Sequence, residues 1–278
     1  MNGYPPDDKR EPLELNKRQD DIFQWIVREG QVKLNELSKR FDVTEVTIRR
    51  DLEKLERKGV LHRTFGGAVL SQSHDVSMSK REHTMSDEKE RIGKAAAALV
   101  RPGESIFLDS GTTTLQVARY LDPELPITVV THAISIVTEL QSRSRSMKVI
   151  VLGGMLWEGS SSLVGPGTEE ALRRYAFDRA FISATGVTVE HGFSNSNIFE
   201  LQIKRMAALQ AKEANVVVDR SKFGVRSLAS YASLDQVHRI ITDDVADKEI
   251  EQFCSDHQVE IVKASNRQAK TSQGRGEE

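Results

Sequence analysis

A single cysteine, Cys254, leaves this 278-residue chain without an internal disulfide or a multi-cysteine zinc site, and it fits a reducing compartment. Seven histidines show no metal-ligand spacing, so neither a metal nor another cofactor is expected. Net charge is also scarce. The 39 Lys and Arg against 41 Asp and Glu give −2, which argues against wholesale coating of nucleic acid but leaves room for a local reading head. No apolar run is long enough to span a bilayer. The opening stretch MNGYPPDDKREPLEL has no apolar signal-peptide core. A soluble, cytoplasmic protein with no membrane partner is expected.

What is present is organised around Thr44 to Gly59, TEVTIRRDLEKLERKG. Ile48, Leu52 and Leu55 recur at the spacing that keeps side chains on one stripe of a helix. Thr47, Arg50 and Lys54 share another face, with Arg49 on its flank. Thr44 suits the start and Gly59 the stop. One face enters a core while the other offers hydroxyls and guanidinium groups, as a helix in the DNA major groove must. Alone, the pattern fits a solvated amphipathic helix equally well. The neighbouring segments decide.

Asn16 can cap a first helix carrying Ile22, Phe23, Ile26 and Val27, which Gly30 ends. Val32 suits a short strand. Leu34, Leu37 and Phe41 mark a second short helix, and Asp42-Val43 turns the chain into the third. Two short helices joined by a tight turn form a helix-turn-helix. In VLHRTFGGAVL, two small strands turn at Gly66-Gly67 to make a wing. From it Arg63 can reach a phosphate or the minor groove. Asp51 reads as an internal partner of a helix arginine, not as a base reader.

Residues 1–15 hold three prolines and many charges, and residues 265–278 are polar; both are expected to be disordered. The expected organisation is a DNA-binding domain over 16–71, a polar linker over 72–85 and an α/β domain over 86–264. In the last of these, apolar runs at 105–109, 127–131, 148–154, 179–186, 214–219, 238–244 and 259–264 alternate with helix-like segments. Such strands imply a mainly parallel sheet covered on both faces. Ligands bind outside the carboxyl ends of its strands, at a switch in strand order.

The first run leads through Asp109-Ser110-Gly111-Thr112-Thr113-Thr114 into a helix. Free N–H groups, the helix dipole and hydroxyls converge there as an anion cradle, although the Gly-Lys-Ser/Thr ending of a Walker loop is missing. The next runs end in Thr131-His132, in Gly153-Gly154, where a backbone can approach a ligand closely, and in Ala184-Thr185-Gly186. Lys204 lies in FELQIKRM and Lys222 in DRSKFG. Each alone reads as a solvated lysine; beside the cradle, at least one is expected to touch a phosphate.

Residues 18–70, from RQDDIFQW to the GGAVL wing, resemble the winged helix-turn-helix of DeoR-type bacterial transcription regulators. The specific part is VTEVTIRRDLEKLERKG followed by GGA. The SGTT turn, the Gly-Gly after a strand, and the stretch from Glu200 through IKR to RSKFG resemble the sensor domain of the same family, which is similar in fold to ribose-5-phosphate isomerase. The resemblance covers roughly residues 16–263. It implies groove contacts at Thr47, Arg49, Arg50 and Lys54, with arginine reading guanine or gripping phosphate, and phosphate contacts at Ser38 and Thr44. It also implies an effector pocket lined by Asp109, Gly111, Thr112, Thr113, Thr131, Gly153, Gly154, Glu200, Lys204 and Lys222, with Ser110 and Thr114 in the cradle.

Departures from the isomerases bear on activity. Their acidic segment is replaced by Ala184-Thr185-Gly186, and Lys204 falls where their glutamate base would be, so binding without turnover is implied. His132 replaces the asparagine of many family members; it can alter ligand choice or be a satisfied core histidine. The polar segment 190–197 is either a lid or a surface loop.

The expected fold class is α/β, a winged helix-turn-helix followed by a mainly parallel doubly wound sheet domain. The expected function is that of a DNA-binding regulator, a repressor of sugar-metabolism genes, with operator DNA and a phosphorylated sugar as partners and at least a dimer as the assembly. The alternative is a sugar-phosphate isomerase carrying a DNA-binding appendage.

Overall fold

The computed structural model describes residues 17–29, 31–57, 61–64, 66–70, 78–157, 159–245 and 247–264. The disorder expected at both ends, the caps at Asn16, Gly30 and Gly59, and Phe65 lie outside them. The chain divides into two units, Met1–His74 and Asp75–Glu278.

In the first unit, apolar spacing sets the helices. Helix α1 (Lys17–Glu29) buries Ile22 and Ile26, four residues apart on one stripe. After β1 (Gln31–Lys33), α2 (Leu34–Phe41) buries Leu34 and Leu37. Asp42 then takes φ 50° and ψ 49° and stops α2, since a short polar side chain tolerates this left-handed geometry. Helix α3 (Glu45–Arg57) buries Ile48, Leu52 and Leu55 against α1, α2 and the wing. The wing strands β2 (Leu61–Thr64) and β3 (Gly67–Leu70) join β1 in an antiparallel sheet ordered β1-β3-β2. A Cβ at Gly67 would lie 1.9 Å from Val32 O, so only glycine allows β3 to pass β1 this closely.

The second unit begins with α4 (Met78–His83), inside the segment read as a linker. Met78 packs on the sensor core and Glu82 pairs with Arg119 at 2.6 Å, so tertiary contacts support a helix too short for sequence periodicity to reveal. Helix α5 (Ser86–Ala97), β4 (Ser105–Leu108), α6 (Thr112–Tyr120), β5 (Thr128–Thr131), α7 (Ile134–Arg143) and β6 (Lys148–Val151) follow. A ribbon of β7 (Met155–Trp157) and β8 (Ser162–Val164) leads to α8 (Pro166–Leu172) and β9 (Phe177–Ile182). Then come β10 (Gly186–Thr188), β11 (Gly192–Asn195), α9 (Ile198–Gln210), β12 (Ala211–Val217) and β13 (Ala229–Ala232). The described chain closes with β14 (Arg239–Thr242), α10 (Lys248–Asp256) and β15 (Glu260–Lys263).

Seven strands form one parallel sheet ordered β15-β14-β12-β9-β4-β5-β6. Each expected apolar run supplies one of them. Phe107, Ala180 and Ile182 pack on one face, and Ile106, Leu108 and Phe181 on the other, as alternation along a doubly covered sheet requires. The chain leaves β4 toward β5 on one side and reaches β9 on the other. The switch in strand order therefore falls between β4 and β9.

The segment 190–197 is neither lid nor surface loop. Gly192–Asn195 is the middle strand of a small sheet, β10-β11-β13, and Phe193 and Ser194 are fully buried. Its polar composition hid this, because the burial rests on partners from residues 229–232, distant in sequence. Among the described residues, no helix is long and apolar enough to cross a membrane.

Candidate functional site: a reading head and a polar pocket at the switch point

Thr44 caps α3 by accepting the Thr47 N–H at 3.3 Å, and the two hydroxyls lie 3.1 Å apart. Ser38 donates its hydroxyl to Val43 O at 2.6 Å, which fixes the turn and leaves its proton unavailable to a phosphate. Arg49, Arg50 and Lys54 are exposed. Glu45 stands 3.9 Å from Arg49, whereas Arg50 and Lys54 have no partner among the described residues. Arg63 is held by Glu56 of α3, which accepts from Nε at 2.6 Å and from the backbone N–H at 2.9 Å. That pairing aims the wing arginine and raises its pKa. Asp51 is buried and accepts from Arg18 Nε at 2.7 Å and Gln19 Nε2 at 2.9 Å, so it locks α3 to α1 and reads no base.

In the second unit, the switch point gathers side chains from α9 and from the strands or strand ends of β4, β5, β8, β9 and β11. Asp109, at the end of β4, is fully buried. Its Oδ2 accepts from Ser183 N at 2.9 Å, Ser183 Oγ at 2.8 Å and Lys204 Nζ at 2.5 Å. Burial alone would raise this carboxyl's pKa, but the neighbouring Lys204 ammonium and His132 outweigh it and hold the group well below the usual range. Lys204, 1% exposed on α9, also donates to Ser183 O and Ser183 Oγ, both at 3.1 Å. Its three protons are thus committed inside the protein. The structure places Lys204 in the site as an internal counter-ion, not as a free cation for a ligand.

Glu200, one turn earlier on α9, accepts from Ser110 Oγ at 2.9 Å, Ser162 Oγ at 3.0 Å and Asn195 Nδ2 at 3.2 Å. Against the upward effect of burial, Lys204 lowers its pKa. His132 is a satisfied core histidine. It stacks on Phe107, its Nδ1 hydrogen-bonds Leu163 O at 2.9 Å, and its Nε2 lies 3.3 Å from Ser110 N and 3.4 Å from Asp109 Oδ1.

Several expected lining residues prove to be internal fasteners. Thr114 donates to Asp109 O at 2.6 Å, and Thr131 donates to Leu108 O at 2.7 Å while accepting from Ala133 N. Gly154 packs against its own fold: a Cβ there would lie 2.0 Å from Thr168 Oγ1, so the close approach is to α8. Gly153 is exposed and its carbonyl accepts from Thr168.

Groups without an internal partner remain at the start of α6 and in the turn after β12. No backbone carbonyl takes the N–H groups of Thr112, Thr113 or Thr114, and Gly111 offers no side-chain cap. The hydroxyls of Thr112 and Thr113 have no partner among the described residues. Lys222, in the short turn Arg220–Lys222 after β12, is a cation without a protein partner among the described residues.

One cation was missed from sequence. Gly93 of α5 packs directly on Gln116 of α6, and Lys89 lies one turn earlier on α5. Lys89 is buried and donates to Thr84 O at 2.7 Å and to Arg81 O. Burial pushes its pKa down to about 8, Asp219 opposes, and Lys222 and Arg81 push it further down. A lysine in an Ala-rich helix reads as solvated, so only packing identifies it. Ser162, Ser183 and Asn195 were also missed: Ser183 sits inside an apolar run, Ser162 in a stretch without periodicity, and Asn195 in the polar segment read as a lid or a surface loop.

Two family models match this chain: the DeoR-like helix-turn-helix domain over residues 18–74 and the DeoR C-terminal sensor domain over residues 84–244. The HTH-type transcriptional regulator IolR of Bacillus subtilis is 34% identical over 242 residues, covering 87% of this chain and 96% of that protein. The putative aga operon transcriptional repressor of Escherichia coli O157:H7 is 31% identical over 233 residues, covering 82% and 86%. Among solved structures, ribose 5-phosphate isomerase A of Methanocaldococcus jannaschii is 21% identical, covering 50% of this chain and 55% of that one with a TM-score of 0.38. A winged helix-turn-helix joined to an α/β sensor domain defines a DNA-binding transcription regulator and not an enzyme. The chain belongs to the DeoR family of such regulators. The isomerase alternative falls with this assignment, and the chemistry agrees, since Asp109 and Glu200 are both tied up by internal donors.

Proposed function

We propose that this regulator is a cytoplasmic repressor of sugar-metabolism genes whose operator affinity is set by a phosphorylated sugar. The observation that carries this reading is the unclaimed start of α6. Three N–H groups and two free hydroxyls at the positive end of a helix dipole suit a phosphate dianion, and in this reading Lys89 and Lys222, whose charges act on each other, add the cations. The buried web of Asp109, Ser110, Glu200 and Lys204 holds that cradle in shape, and the name of the aga operon relative supports the repressor assignment.

In this reading Thr47, Arg49, Arg50 and Lys54 face the groove, and Thr44 and Arg63 meet the sugar-phosphate backbone. Residues 16–71 form the head and 86–264 the sensor. One head reads few base pairs, so specific binding requires a dimer or larger assembly on repeated half-sites. The effector acts by favouring one arrangement of the heads over another.

A thermal-shift screen of phosphorylated sugars against their free sugars tests the sensor. At about 100 times its dissociation constant, the effector stabilises the protein by about 2.7 kcal/mol, and its free sugar does not. If the free sugar shifts the protein equally, the cradle has no role. If no compound shifts it while operator binding persists, the effector assignment fails.

A further inference from the structure

Helix α3 carries one side chain that the head does not use. Val46 is 59% exposed, and among the residues of the first unit whose side chains are described it is the only large apolar one out in solvent. It packs on no member of the head's core. A β-branched residue there also gains nothing from helix propensity.

Its position on the helix is informative. At about 100° per residue, the buried residues Ile48, Asp51, Leu52 and Leu55 fall within an arc of about 100°, and Val46 lies about 170° from the middle of it. The side chain most directly opposed to the core is therefore an aliphatic one. Arg50 stands about 40° to one side and Arg49 about 60° to the other. Val46 is also the second residue of the helix, and the N-terminal residues of a recognition helix reach the base edges.

A valine can neither donate nor accept a hydrogen bond. In the major groove only one base presents an apolar group, the 5-methyl of thymine. Any other base edge pressed against Val46 would lose water without gaining a partner. We infer that Val46 is a specificity-determining residue that reads the 5-methyl group of a thymine in each half-site. Val46 and Arg50 are about 6 Å apart along the helix axis, so this thymine lies within about two base steps of the base that Arg50 contacts. The inference rests on the placement of α3 in the groove proposed above.

The test uses the full-length protein and duplexes it selects from a randomised pool. Each thymine of a selected site is replaced in turn by deoxyuridine, which removes the methyl group and nothing else. Wild type, Val46→Ala and Arg50→Ala are compared. At one thymine per half-site, loss of the methyl weakens wild-type binding by about 3- to 5-fold, the share of one buried methyl group. Val46→Ala, a change at an exposed position, melts at the wild-type temperature and binds the thymine and deoxyuridine duplexes equally at that position. The inference is overturned if no thymine shows a methyl dependence, or if Val46→Ala keeps the wild-type dependence. If Arg50→Ala loses affinity while no methyl matters, α3 still sits in the groove and only Val46 is removed. If neither substitution changes affinity for a selected duplex, α3 is not the reading element and both assignments fall.

Discussion

Lys204 Nζ lies 2.5 Å from Asp109 Oδ2, and both side chains are out of solvent. The lysine comes from α9 and the aspartate from the end of β4, so one ion pair fastens the helix to the switch point of the sheet. Asp109→Asn leaves a buried ammonium without its counter-charge and is expected to lower stability by about 3–5 kcal/mol in urea unfolding. The double variant Asp109→Asn/Lys204→Met recovers part of that loss. The pH dependence follows from the lowered Asp109 pKa. Its contribution is fully present above the unfolded value of about 3.9 and is lost as pH falls toward the folded value. A loss below 1 kcal/mol in Asp109→Asn would show that the pair fastens nothing.

Gly93 is where α5 and α6 touch. A Cβ there would stand 2.5 Å from Gln116 Cβ and 2.6 Å from its carbonyl carbon, and the backbone cannot step aside. Gly93→Ala is expected to cost about 1–3 kcal/mol through overpacking, despite its better helix propensity. It also shifts α5 and with it Lys89, one turn earlier, so in the proposed reading the stabilisation by a phosphorylated sugar shrinks. Melting curves with and without the sugar read both effects. An unchanged melting temperature would place the two helices further apart.

Lys89 sets a pH window. An unfolded lysine keeps its proton to about 10.4, whereas burial brings the folded group down to about 8. Between these values the unfolded chain binds more protons, so this group makes stability rise with pH across the window. Effector binding runs the opposite way, because a phosphate dianion favours the charged lysine. Calorimetric titration from pH 7 to 9.5 is expected to show affinity falling above pH 8, and Lys89→Met is expected to flatten the profile. A wild-type profile already flat would remove Lys89 from the phosphate's surroundings.

Arg50 has no protein partner among the described residues and projects beside Val46. Arg50→Ala is expected to weaken specific binding by about 1–3 kcal/mol if the guanidinium grips a base edge. If it grips a phosphate instead, binding weakens on all sequences alike and the salt slope drops by about one unit. Fluorescence anisotropy over a salt series, on specific and scrambled duplexes, separates the two.

The architecture was legible because its signals were apolar and periodic. Ile48, Leu52 and Leu55 announced α3, and seven apolar runs announced seven parallel strands. The strand-to-helix turn at Ser110 to Thr114 was legible because a glycine and three threonines follow directly on a strand. What stayed hidden depended on partners far along the chain. Residues 192–195 look like a polar loop until Ala229–Ala232 pairs beside them. Lys89 and Lys204 look alike in sequence, two lysines on helices, yet one caps carbonyls and the other neutralises a carboxylate. Val46 was overlooked because valine reads as core, and only its exposure shows that it is not.

Strand β4 is the first of the large sheet to be made, yet it ends up in its interior between β9 and β5, with Ile106 opposite Arg179 of β9. A growing chain completes β4, β5 and β6 early, and until Phe177–Ile182 emerges one side of β4 presents bare amides on a strand built for burial. The head, which has its own hydrophobic core, is free to fold during that wait. A chain cut short between β6 and β9 would therefore keep a folded head attached to an adhesive, unfinished sheet. Such a fragment would have no means of answering the effector.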